Sequence, residues 1–279
     1  MILTGAARLA GVMGWPVAHS RSPRIHGYWL EEKGIDGAYL PLAVRPDDLG
    51  AALAALPALG FRGCNLTAPH KEAALAHMAS LSEAARRIGA VNTVTVAGDG
   101  ALQGHNTDGF GFISHLRLEA PTWTPIAPVA MLGAGGAARA VVEALRSEGV
   151  AEIRLLNRSP GRASALAGTV GSTIRPHSWD DRAAALEGCG LLVNTTQLGQ
   201  VGKPALDLDL GRLPRDATVY DLVYAPLETE LLKAARARGH VTVDGLGMLI
   251  HQARPGFAAW FGAEVEATAA VRRFAAEGL

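Results

Sequence analysis

Short apolar runs alternate with longer amphipathic stretches along the first hundred residues. RLAGVMG (8–14), AYLPLAV (38–44) and FRGCNLT (61–67) have strand length and strand composition, and SPRIHGYWLEEKG and PDDLGAALAALPALG between them carry apolar positions at helical spacing. This alternation predicts an α/β layer with parallel strands. GAVNTVTVAGDGALQGHNTD predicts a hairpin turning at Gly98–Gly100. EAPTWTPIAP (119–128), with three prolines, is expected to be a hinge or linker rather than core. A second βαβ series follows: PVAMLG, a helix, EIRLLN, another helix, LLVNTT, TVYDLVY and VTVDG, then amphipathic helices from GMLIHQA onward. Two α/β layers imply a cleft between them, a preferred place for a ligand.

Composition narrows the function classes. The 279 residues are 49% hydrophobic and 19% charged, the balance of a globular protein, and Lys+Arg equals Asp+Glu at 26 each. A chain with no basic excess gives no support to nucleic acid or a membrane surface as partner. Cys64 and Cys189 lie far apart without metal-ligand spacing, so no metal is expected and both are expected to be reduced. The N-terminal apolar run is too short for a signal peptide, and no stretch of about 20 apolar residues is present to span a bilayer. The expected location is the cytoplasm.

PVAMLGAGGAARAVVEAL places Gly133-x-Gly135-x-x-Ala138 between an apolar strand and a helix. Glycines there permit a tight turn and close approach of the backbone to a pyrophosphate at the helix N-terminus. At the end of the next strand a dinucleotide fold that prefers NAD carries an acid for the ribose 2′-hydroxyl. Here LLNRSPGR supplies Asn157, Arg158, Ser159 and Arg162. A carboxylate would repel a 2′-phosphate, whereas guanidinium pairs with it bidentately, so the pattern predicts NADP(H). Ser159 followed by Pro160 also reads as an ordinary helix start.

Candidate chemistry sits in three loops. HSRSP offers Ser20 and Ser22 at a helix start, suited to capping or to a small carboxylate. His19 and His26 have no partners at ligand spacing. NLTAPHK places Lys71 just past a strand tip, and GHNTDGFG places Asp108 beside a turn. Either is explicable as an exposed helix start, and together they can form a proton-handling pair.

In order along nearly the whole chain, HSRSP, NLTAPHK, GAVNT, GHNTDGFG, GAGGAARA, NRSPGR, DLVYAP and DGLGMLIHQA resemble the shikimate dehydrogenase family. The resemblance implies two α/β domains, an N-terminal substrate domain and a Rossmann-like NADP-binding domain. Residues 1–107 joined by the C-terminal helices 245–279 would form the first, and 108–244 the second. It implies NADPH-dependent reduction of 3-dehydroshikimate to shikimate, a step of aromatic amino-acid biosynthesis, with Lys71 and Asp108 as the catalytic pair. Ser20 and Ser22 would bind the carboxylate, and Asn65, Thr67, Asn92 and Gln252 the polyol, with Tyr224 nearby. Gly133, Ala134, Gly135, Gly136 and Ala137 would hold the pyrophosphate, and Asn157, Arg158, Ser159 and Arg162 the 2′-phosphate. Leu222, Gly245 and Met248 would lie at the nicotinamide half. A monomer or homodimer is expected. Gly27 and Gln200 depart from the family's usual asparagine and methionine.

Two other readings stand beside this one: a catabolic quinate/shikimate dehydrogenase, which often uses NAD, and a nucleotide-binding sensor without catalysis. The arginines after the second strand speak against the first. The presence of both Lys71 and Asp108 speaks against the second.

Overall fold

A computed structural model describes residues 2–279. The chain divides into two compact units, one running to Gly111 and resuming over Leu249–Glu277, the other made chiefly of Phe112–Met248.

In the first unit, β1 (Arg8–Gly14), α1 (Ser22–Glu32), β2 (Gly37–Ala43), α2 (Leu49–Ala55) and β3 (Phe61–Leu66) follow the predicted alternation. The short α3 (His70–Ala73), β4 (Ser80–Leu81) and α4 (Glu83–Ile88) lead to β5 (Thr93–Val96) and β6 (Leu102–His105), and α5 (Asp108–Glu119) follows. The described strands form a sheet in the order β2-β1-β3-β5-β6-β4. β1 pairs parallel with β2 and β3, whereas β5 and β6 are the predicted hairpin, of which β5 pairs antiparallel with β3 and β6 parallel with β4. The helix expected over 46–60 is shorter. It opens as a 3-10 turn at Pro46–Asp48 and ends at Ala55, just before Pro57, which has no N–H to donate.

The second unit holds β7 (Val129–Leu132), α6 (Gly136–Ser147), β8 (Ile153–Leu156), α7 (Pro160–Val170), β9 (Ile174–His177), β10 (Leu191–Asn194), β11 (Thr218–Asp221), α8 (Glu230–Ala237) and β12 (Val241–Val243). Its described strands run β12-β11-β10-β7-β8-β9, all parallel. Counted from β7, that is the doubly wound order in which the chain reverses direction across the sheet between β7 and β10. The central strand β7, VAML, is apolar and buried at every position rather than alternating, as a strand covered on both faces should be. Val141, Val142 and Leu145 of α6 pack with Met131, Leu155 and Val193 in one core cluster.

α9 (Gly245–Phe261) and α10 (Ala269–Ala276) complete the chain. The part of α9 beyond Leu249 belongs to the first unit, where Trp260 Nε1 donates to the Val94 carbonyl at 2.9 Å. Gly63, at φ +149, lies under that indole and leaves no room for a Cβ. Trp29 of α1 donates to the Glu266 carbonyl at 3.2 Å, and Arg24 to the Phe274 carbonyl at 2.9 Å.

The segment 119–128 is not the hinge that its prolines suggested. Ala120 is buried and Trp123 packs on the core of the second unit. The chain instead passes between units inside helices, at Gly111/Phe112 of α5 and Met248/Leu249 of α9. Ile126 in the same stretch is left exposed.

Candidate active site

β3 ends at Leu66, and the loop after it turns through a cis Ala68–Pro69 bond into α3, which presents Lys71. From the other side of the hairpin, β6 runs into Asn106, whose side-chain oxygen accepts from the Asp108 amide at 3.1 Å and starts α5. These two loops bring Lys71 Nζ to 2.5 Å from Asp108 Oδ2. The lysine side chain is 25% exposed and the aspartate 10%. The pair is partly open to solvent and otherwise enclosed, which suits a group that must meet a substrate.

Asp108 is held by its other oxygen. Asn92 Nδ2 donates to Asp108 Oδ1 at 2.8 Å, and the same amide nitrogen lies 3.2 Å from Gln252 Oε1. The Asn92 side-chain oxygen accepts from the Thr107 amide and the Thr93 hydroxyl, each at 2.9 Å. Thr107 Oγ1 donates to the Gln252 backbone carbonyl at 2.8 Å, tying α9 to the hairpin. Asn65 donates to the Asn92 backbone carbonyl at 3.0 Å and to Thr93 Oγ1 at 3.1 Å, and its Oδ1 accepts from the Tyr39 hydroxyl at 2.6 Å. Buried amides and hydroxyls satisfied in this way have a single orientation, because turning any one would set acceptor against acceptor.

Ser22 is the first helical residue of α1 rather than its cap, a position taken by Arg21. Its hydroxyl is therefore not spent on capping, and the residue is buried beside Tyr39. Ser20 Oγ accepts from the Ser22 amide at 3.3 Å. One run of hydrogen bonds thus joins Tyr39, Asn65, Asn92, Gln252, Asp108 and Lys71, and Ser20 and Ser22 are joined to each other. Thr67 is half-buried near this site, its methyl against Gly14.

In the second unit the loop Gly133–Gly136 follows β7 and opens α6, next to the reversal point of the sheet. Gly133 has φ +102, and a Cβ there would stand 2.6 Å from Thr195 Oγ1. Only glycine fits that turn. A Cβ at Gly135 or Gly136 would meet no protein atom within 4 Å, so the backbone beside the α6 N-terminus is open to a ligand. After β8, Asn157 Nδ2 donates to the Ser159 carbonyl at 2.8 Å and tightens the turn. Arg158 and Arg162 are exposed, and neither forms an ion pair among the described residues. Residues suited to an adenosine 2′-phosphate, free guanidinium groups without a competing carboxylate, are in place. Ala134 and Ala137 are half-buried in the loop and first turn.

Asp221, at the end of β11, is fully buried. It accepts from Asn194 Nδ2 at 2.9 Å, the Val223 amide at 3.1 Å and the Thr229 hydroxyl at 2.6 Å. Burial pushes its carboxyl up to about 6, against those hydrogen bonds. The network anchors the loop bearing Leu222 and Tyr224, which continues through a cis Ala225–Pro226 bond. Gly245 donates its N–H to the Val223 carbonyl at 3.2 Å, and a Cβ on it would strike the Leu222 backbone. Met248 is 8% exposed and built into the core, so most of its surface is turned to packing. Tyr39, Thr93, Thr107, Asn194, Asp221 and Thr229 were not singled out from sequence. The available signal was a polar or ionisable residue inside or ending an apolar strand, as in TVYD.

Two family descriptions match the chain: "Shikimate dehydrogenase substrate binding domain" over residues 12–94 and "Shikimate / quinate 5-dehydrogenase" over 124–200. A protein from Paramagnetospirillum magneticum named shikimate dehydrogenase (NADP(+)) is 57% identical over 98% of this chain and 99% of its own. Among solved structures, the Thermus thermophilus shikimate 5-dehydrogenase in complex with NADP(H) and shikimate superposes with a TM-score of 0.87 at 39% identity, covering 98% of this chain and 100% of that one. The Corynebacterium glutamicum quinate dehydrogenase in complex with NAD superposes at 0.90 with 34% identity, covering 96% and 98% of the two chains.

Proposed function

The chain belongs to the shikimate dehydrogenase family, and on that premise we propose that it reduces 3-dehydroshikimate to shikimate with NADPH, reversibly, through Lys71 and Asp108. The observation that carries the assignment is the 2.5 Å contact between Lys71 Nζ and Asp108 Oδ2 at the end of a satisfied polar network. We assign the first unit to the substrate and the second to the cofactor.

Bound NADPH supplies the hydride to the ring carbonyl. Lys71 keeps two N–H donors beyond the one given to Asp108, so it can hold the carbonyl oxygen and neutralise the charge that develops there. It then passes a proton to that oxygen, and Asp108 fixes the ammonium in place throughout. Ser20 and Ser22 take the carboxylate, and Asn65, Thr67, Asn92 and Gln252 take the ring hydroxyls. A substrate lacking a hydroxyl leaves one of these buried groups unpaired, which is how such a site selects. The α6 N-terminus with residues 133–137 receives the pyrophosphate, and Asn157, Arg158, Ser159 and Arg162 the 2′-phosphate. We assign Leu222, Gly245 and Met248 to the nicotinamide half and Tyr224 to the substrate.

No described helix is long and apolar enough to cross a membrane. Two free buried cysteines fit a reducing compartment, which supports a cytoplasmic location. We assign the protein as a monomer or homodimer. The function is tested by following NADPH absorbance with purified protein and 3-dehydroshikimate, then in reverse with shikimate or quinate and either NADP+ or NAD+. Shikimate with NADP+ is expected to give the highest kcat/KM. Preference for quinate with NAD+ would favour the catabolic activity, and NADPH binding without turnover would favour a sensor.

A further inference from the structure

The Tyr39 hydroxyl stands between the carboxylate and hydroxyl halves of the substrate site proposed above, and this inference rests on that assignment. Tyr39 lies on β2, 6% exposed, away from the loops that carry the chemistry. Its hydroxyl donates to Asn65 Oδ1 at 2.6 Å. The phenol's single proton is thereby given to Asn65. Beneath the ring lies His26, parallel to within 1° at 3.9 Å between centroids. That imidazole is fully buried, and neither ring nitrogen has a hydrogen-bond partner among the described residues. It serves as a flat plate under the phenol rather than as a titrating group.

Both hydrogens of the Asn65 amide are already committed, to the Asn92 carbonyl and Thr93 Oγ1. With Tyr39 donating to Oδ1, turning the amide over would set Oδ1 against the Asn92 carbonyl and break three hydrogen bonds. What remains free on the side chain is one lone pair of Oδ1. We propose that Tyr39 is a positioning residue which, seated on His26, locks the Asn65 amide so that it offers substrate an acceptor and never a donor. The site then requires a hydroxyl, a group that can donate, at the ring position facing Asn65. A carbonyl or ether oxygen there would meet an acceptor and be refused.

Tyr39→Phe retains the ring stack and deletes only the hydroxyl. KM for shikimate is expected to rise roughly 5- to 30-fold, with kcat within about threefold and KM for NADP+ unchanged. In an Asn65→Ala background there is no amide left to orient, so adding Tyr39→Phe is expected to move KM by less than about threefold. Titration calorimetry on the same variants reads the Kd of shikimate without turnover and should change by the same factor. A merely structural role would lower the melting temperature and the active fraction, hence apparent kcat, while leaving KM in place, and that result overturns the proposal. So does a Tyr39→Phe penalty that is the same with and without Asn65. Wild-type protein that fails to oxidise shikimate overturns the assignment of the site and this inference together, whereas active wild type with an unchanged Tyr39→Phe overturns this inference alone.

Discussion

Asp108 is gripped by both oxygens: Asn92 Nδ2 lies 2.8 Å from Oδ1 while Lys71 Nζ lies 2.5 Å from Oδ2. An amide on one side and an ammonium on the other fix the plane of the carboxylate, and through it the place of the lysine. The same amide group of Asn92 reaches Thr107 and Gln252, so the orientation of Asp108 is set by the hairpin and by α9 together. Asn92→Ala should therefore lower kcat roughly 10- to 100-fold by loosening that geometry, although Asn92 carries no proton. Steady-state kinetics with shikimate and NADP+ checks this, and a kcat within about twofold of wild type would refute it.

Cofactor choice rests on Arg158 and Arg162, which are exposed and make no ion pair with a carboxylate among the described residues. Removing one guanidinium from a 2′-phosphate should raise KM for NADPH by roughly 10- to 100-fold in Arg158→Ala. KM for NADH, which lacks that phosphate, should barely change. Parallel titrations of the two nucleotides measure the difference, and equal effects would sink the assignment.

Sequence legibility varied with the range of the interactions involved. Glycine spacing, strand pattern and the absence of an acid after β8 marked the nucleotide loop because each is a local property of a few neighbouring residues. Lys71 and Asp108 could be named as candidates, but their meeting depends on a hairpin bringing residues 37 apart into contact. Thr93 and Thr107 look like ordinary β-branched residues until the Asn92 amide is seen between them. The prolines of 119–128 misled because proline reports irregular backbone, not a domain boundary, and here helices cross the boundary instead. Ser22 read as suited to capping or to a carboxylate, and of these it does not cap, because Arg21 holds the position before the helix.

Gly133 combines φ +102 with a would-be Cβ 2.6 Å from Thr195 Oγ1. Alanine there meets both backbone strain and a clash with the neighbouring strand end. Gly133→Ala should cost about 1–3 kcal/mol of stability and raise KM for NADPH. Urea unfolding reads the first effect, and an unchanged midpoint would show that the turn has more room than the structure gives it.

Burial lowers the His26 imidazole from 6.5 to about 3. The unfolded chain takes up a proton there at a pH where the folded chain does not. Stability from the neutral ring is thus present above about pH 6.5 and lost as pH falls toward 3. At about pH 5 the loss is about 2 kcal/mol relative to neutral pH. Asp221, raised to about 6, works the other way, losing stability as pH climbs from about 4 to 6, so each pH needs its own wild-type comparison. His26→Phe should gain on wild type progressively below pH 6.5 in denaturant melts. A constant difference between the two proteins from about pH 7 to about pH 5 would contradict the buried neutral ring.

Turnover depends above all on the ammonium of Lys71, and the most direct measurement is the initial rate of shikimate oxidation by Lys71→Ala with saturating NADP+. That rate should fall on the order of 10²–10⁴-fold while KM for shikimate stays within a few-fold of wild type, since the carboxylate and hydroxyl contacts survive. Near-normal turnover, or a loss expressed only in KM, would contradict it.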